Sequence, residues 1–98
     1  MTREEFTATL EQAEPPASLS DALRALWLDK KSDWKRSHGV VQDMPGKTGS
    51  RIHAYLHRKE GDLGNAQYWY SKAGATMPSG TLDEEWEFLV DEVVAGRL

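Results

Sequence analysis

The chain contains no cysteine, which removes disulfide cross-links, thiolate nucleophiles and cysteine-based metal sites together. It also lacks any apolar run near the roughly 20 residues that cross a bilayer, so no membrane partner is expected. Alternation of apolar and polar residues, the mark of a half-buried strand, nowhere extends far enough to read as one. Proline is scarce, four in 98 residues, and two of the four are adjacent at Pro15 and Pro16. The acidic opening "MTREEFTATLEQAE" has no apolar stretch of the kind a secretory signal carries. The expectation is a cytoplasmic protein with one domain, residues 1–98, and one small core.

Basic charge is also short overall, with a net charge of −4, but its distribution is uneven. Residues 30–60 hold eight Lys/Arg against three acids, a local +5, while the rest of the chain stands at −9. Such a segment suits an acidic partner. The plainer reading, that the acidic ends pack beside the basic middle, is preferred. An acidic total makes nucleic acid an unlikely partner, since chains that bind it are usually basic.

What is present is helical. Thr2 and Glu5 have capping-box spacing, and Phe6, Leu10 and Ala13 follow on one stripe until Pro15 and Pro16 end the helix. Ser18 with Asp21 signals a second helix, "LSDALRALWLDKK", with Leu19, Leu23, Leu26 and Trp27 on a shared face. Ser32 is expected to cap a third, "DWKRSHGVVQD", and "MPGKTGS" reads as a loop. A fourth helix from about Arg51 to Glu60 stops at Gly61, and a fifth starts behind Asp62 as its cap. Thr81 and Glu84 repeat the capping box before Leu82, Trp86, Leu89, Val90, Val93 and Val94, leaving Asp83, Glu84, Glu87 and Asp91 mostly in water. The tryptophans at 27, 34, 69 and 86 are read as core. The fold class is all-α, in short antiparallel hairpins.

"PGKTGS" ahead of a helix invites comparison with a phosphate-binding loop. The earlier glycine of that motif would fall at Val41, and a helix precedes it instead of a strand, so a connecting loop is the better reading.

"RIHAYLHRKEGDLGNAQYWYSKAG" carries a more specific pattern. Ala66, Tyr70, Ala73 and Pro78 stand at small, aromatic, small and proline positions, "GDLGNA" is a tight connection, and Ala54 is small where two helices approach. In this the stretch resembles a tetratricopeptide (TPR) repeat, a helical hairpin that stacks into a solenoid. The chain departs from that pattern where the family expects Trp, Leu and Tyr, since Ser50, His53 and His57 stand there. A weaker copy lies 29 residues upstream and pairs Asp33 with Asp62, Ser37 with Ala66, Val41 with Tyr70, Ala25 with Ala54 and Leu28 with His57. The resemblance implies hairpins over about 18–43 and 49–74, with a capping helix over about 81–95. Residues 27 to 90 also resemble small bacterial and fungal proteins, a likeness that brings no activity with it.

The resemblance further implies a groove lined by first helices that accepts an extended peptide. Lys30, Arg51, Tyr55, Arg58 and Lys59 would face it, a set suited to an acidic peptide or a free C-terminal carboxylate. The leading expectation is therefore a small interaction module without a cofactor, open to homo-oligomerisation. The alternative uses the histidines. His53, His57 and Glu60 are i, i+4 and i+7 on one helix face, and His38 turns toward them in the repeat arrangement. Buried packing histidines, satisfied by Glu60, Asp62, Gln42 or carbonyls, are the preferred account of them. A small-ligand pocket or a divalent metal such as zinc comes next, and catalysis last.

Overall fold

Six α-helices and one short 3₁₀ turn carry the chain in the computed structural model, which describes residues 1–98 and contains no strand. They are α1 (Arg3–Ala8), the 3₁₀ turn Thr9–Glu11, α2 (Asp21–Lys30), α3 (Trp34–Gln42), α4 (Gly46–Lys59), α5 (Leu63–Lys72) and α6 (Leu82–Val94). No helix is long and apolar enough to cross a membrane. Both capping boxes form: Thr2 and Thr81 accept the amides of Glu5 and Glu84, whose carboxylates reach back to the cap amides.

Three boundaries differ from the sequence reading. Ser20, not Ser18, caps α2 by accepting Leu23 N–H, because Pro16 to Leu19 first closes a turn. Asp33, not Ser32, caps α3. Helix α4 begins at Gly46, so most of the expected loop "MPGKTGS" is helical. Pro45 serves as its N-cap residue, which needs no amide of its own, and Gly49 lies against the preceding chain. A Cβ at Gly49 would come within 2.8 Å of both Met44 Cβ and Met44 O. That glycine permits packing, and does not mark a flexible loop.

The turns after α2 and α4 are built alike. Asp33 N–H donates to Leu28 O and Ser32 N–H to Asp29 O; 29 residues on, Asp62 N–H donates to His57 O and Gly61 N–H to Arg58 O. This 6→1 with 5→2 pattern is a Schellman closure, which needs a left-handed residue at its centre. Gly61 meets that need at φ +87°, but Ser32 must adopt φ +64° with a side chain. Left-handed geometry costs an L-residue about 1–2 kcal/mol, and glycine gives part of that back through its looser unfolded state. Ser32→Gly is therefore expected to stabilise the protein by about 0.5–1 kcal/mol in urea melts. A loss of stability there would contradict this account of the turn.

The core gathers one face of every helix but α5. Phe6, Leu26, Trp27, Val41, Ile52, Leu56, Trp86 and Leu89 are among its buried members. A smaller cluster, Ala54, Ala66 and Tyr70, forms where α5 packs on α4. Helix α6 lies against both α2 and α4, and Trp86 Nε1 donates to Leu26 O at 2.9 Å. Trp27 and Trp86 are core, as their apolar context requires, but Trp34 and Trp69 are only partly buried and flank the histidines.

Candidate metal centre

The five residues expected to line an open basic groove are arranged differently. Arg51 is 9 % exposed at its side chain and donates to Glu85 Oε2 at 2.6 Å. Arg58 donates to Glu85 Oε1 at 2.7 Å and to the Gly80 carbonyl. Tyr55 is buried and its hydroxyl donates to Asp29 Oδ2, while Lys59 holds Asp29 Oδ1 at 2.9 Å. Lys30 lies 3.8 Å from Asp83 and over the Trp86 ring. The chain's own acids thus engage this face, Asp29 of α2 taking Tyr55 and Lys59 and α6 supplying Glu85 and Asp83. Burial, then the nearby Asp29 carboxylate, pushes the Tyr55 hydroxyl pKa up, so it stays a neutral donor.

The histidines, by contrast, converge. His53 and His57 project from one face of α4, and the α2–α3 turn brings α3 across so that His38 meets them. Nitrogen atoms of all three lie within 4.8 Å of one another. His38 Nε2 and His53 Nε2 are 3.0 Å apart, which makes one the donor and the other the acceptor. Trp34 stacks on His38 at 4.8 Å between centroids, and Trp69 stacks on His53 at 4.0 Å. Trp34 is itself fixed by donating to Leu56 O at 2.8 Å. The imidazoles are therefore walled on two sides by indoles, with His53 and His57 each 6 % exposed.

Glu60 is not a fourth member of the cluster. Its Oε1 lies 2.6 Å from His57 Nδ1, and it groups instead with His57 and Asp62. A carboxylate there places the proton on Nδ1, and the Asn65 amide, 3.4 Å from Nε2, donates to the other nitrogen. In the neutral ring the lone pair lies at Nε2, where it meets the Asn65 amide and where an ion would have to displace that contact. A carboxylate behind a histidine is also how metal ligands are commonly oriented. Gln42, weighed as a hydrogen-bond partner for the histidines, is exposed.

Burial lowers the pKa of His53 to about 4, helped by His38 and His57, and burial likewise lowers that of His38. Both rings are neutral at pH 7, the state in which a nitrogen lone pair is free for a metal. In chelator, stability is expected to fall as pH drops from about 6.5 toward about 4. Between those values the unfolded chain binds a proton that the folded one refuses, at about 1.4 kcal/mol per pH unit for one full proton. Above the window both states are neutral and the dependence vanishes. Urea melts across this range check it, with His53→Gln as the control that flattens the slope.

Further residues take part. Trp34 and Trp69, read as core from their composition, stand one turn from His38 and beside the buried Tyr70, next to the histidine face. Asn65, three residues after the Asp62 cap and within the tight connection, reaches His57. Glu85, which accepts from both arginines, falls on the buried stripe of α6 between Leu82 and Leu89. That spacing was the available signal. Comparison with protein-family models, curated proteins and solved structures gives no match.

Proposed function

We propose that this protein binds a divalent transition metal, with zinc the simplest candidate, through His38, His53 and His57. The observation that carries this reading is the convergence of three imidazole nitrogens within 4.8 Å, two of them already 3.0 Å apart. Around a tetrahedral ion with Zn–N of about 2.0–2.1 Å, ligand nitrogens stand roughly 3.3 Å from each other. The His38–His53 pair is near that separation, and an ion would take the place of the shared proton. Glu60 acts from behind, holding His57 by Nδ1. Three protein ligands leave one position for water or another donor, the pattern of an open site.

An ion fits better here than an organic ligand. The three clefts of the protein border other residues and none reaches the histidines. A peptide-binding reading of the basic face draws less support, since Lys59 already holds Asp29, Arg58 holds Glu85 and Lys30 lies near Asp83. Equilibrium dialysis of untagged protein against zinc tests the proposal. One equivalent bound to wild type, and none to a His38→Ala, His53→Ala double variant that keeps its helical signal, is the expected result. Undiminished binding by the double variant would remove these residues from the assignment.

A further inference from the structure

A second site lies on the opposite side of α4. Positions 51 and 53 are about 200° apart around a helix, so Arg51 faces away from the histidines. A cleft of about 520 Å³ borders it, lined also by Thr76, Pro78, Thr81, Glu84 and Phe88. That is a volume suited to a small organic molecule.

Arg51 is held there in an unusual state of partial use. Its Nη1 donates to Glu85 Oε2, and the rings of Tyr70 and Phe88 lie 5.0 and 5.8 Å from the guanidinium carbon. Nε and Nη2 have no acceptor in the protein, yet no buried polar side-chain atom lacks a partner. Those two nitrogens therefore reach open space, and the space Arg51 borders is this cleft. Together they form the side-on edge of the guanidinium, two parallel N–H bonds spaced for the two oxygens of one carboxylate. The edge is aimed by the salt bridge on Nη1, with two rings close to the guanidinium, so little freedom is lost on engaging an anion.

Glu84 and Glu85 line the cleft beside Arg51, and Arg58 stands behind Glu85, so the charges around it balance; the Glu85 carboxylate is engaged by both arginines. Glu84, at the rim, is turned to its capping box, where it accepts Thr81 N–H at 2.9 Å. Phe88, half exposed, gives the wall its apolar part together with Pro78 and Ala75, and Thr76 and Thr81 complete it.

We infer that the cleft binds a small organic acid, a planar carboxylate on an apolar body, with the carboxylate on the Nε–Nη2 edge of Arg51 and the body against Phe88. This site does not depend on the metal reading. Titration of labelled protein with benzoate and 3-phenylpropionate, followed by NMR, tests it. Saturable shifts are expected at Thr76, Phe88 and the Arg51 Nε–H, with 3-phenylpropionamide at least about tenfold weaker because it cannot form the charged fork. Phe88→Ala, a change at a half-exposed position, should weaken the acid at least about fivefold while leaving the fold intact. Arg51→Lys should erase the preference for acid over amide. Equal affinity for acid and amide, no saturable binding of either acid, or shifts centred elsewhere would each overturn the inference. So would a tripeptide ending in a free Phe carboxylate that binds more than about tenfold tighter than the small acid, since the cleft would then serve a protein C-terminus.

Discussion

Glu85→Ala is expected to be among the most destabilising single substitutions in this chain, at about 3–5 kcal/mol. The carboxylate is 1 % exposed at its side chain and accepts from Arg51 at 2.6 Å, Arg58 at 2.7 Å and the Tyr70 hydroxyl at 2.5 Å. Removing it leaves two guanidinium groups, 9 % and 15 % exposed, without their anion, and a buried hydroxyl without an acceptor. The damage comes from those abandoned partners more than from the lost attraction, because pairing two charges away from water gives little net gain. Against a typical total of roughly 5–15 kcal/mol, the loss is a large share. In a domain this size each 1 kcal/mol moves Tm by about 4–8 °C, so the midpoint should fall by more than about 10 °C.

Two companion variants separate charge from packing. Glu85→Gln keeps one acceptor oxygen and nearly the same volume, and should cost less than Ala. A double Glu85→Leu, Arg51→Met change removes charge on both sides and should recover part of the loss. Thermal and urea melts of the three proteins check the order. A Glu85→Ala penalty below about 1 kcal/mol would mean that the buried network contributes nothing to holding α6 on α4.

Glu85 also marks the limit of what local sequence encodes. Local features were legible because their causes are local: the two capping boxes, the Asp62 cap, the stop at Gly61 and the apolar stripe of α6 each depend on neighbours within one turn. Ser32 and α4 were misjudged for a related reason. A serine reads as a cap unless the left-handed demand of the turn is known, and Pro-Gly-rich text reads as a loop unless Met44 is known to sit against Gly49. The histidine convergence was legible from the i, i+4 spacing and the 29-residue offset, which together carry His38 toward the face of His53 and His57. The fate of the basic face was not, since it depends on where a helix some thirty residues further along docks. Of the acids on α6, Asp83, Glu84, Glu87 and Asp91 read as a wet face, whereas Glu85 is in phase with Leu82 and Leu89 and points inward. The preferred account of the charge asymmetry, acidic ends against a basic middle, corresponds to ion pairs that are present: Arg51 and Arg58 with Glu85, Arg36 with Glu14, and Lys30 near Asp83.

Saturating zinc is expected to produce the other large effect, a rise in Tm of roughly 10–30 °C. A ligand that binds only the folded state stabilises it by about 2.7 kcal/mol at a hundred times Kd and about 4.1 kcal/mol at a thousand times. The conversion of about 4–8 °C per kcal/mol then gives that range. The folded chain meets the condition because helix packing brings three nitrogens together that lie on two separate helices. In the unfolded chain only His53 and His57 remain neighbours, so its affinity is far lower. The rise should be greatest near pH 7 and shrink in acid, where protons compete for the same nitrogens. Glu60→Gln offers a finer test, because it removes the charge behind His57 Nδ1 while sparing all three imidazoles. Loss of such a supporting partner typically weakens metal affinity by about 10–100-fold, or about 1.4–2.7 kcal/mol. His57→Ala should abolish the rise altogether. If zinc leaves the wild-type midpoint unmoved at neutral pH, the 3.0 Å contact of His38 with His53 is a hydrogen bond between packing residues and the metal assignment fails.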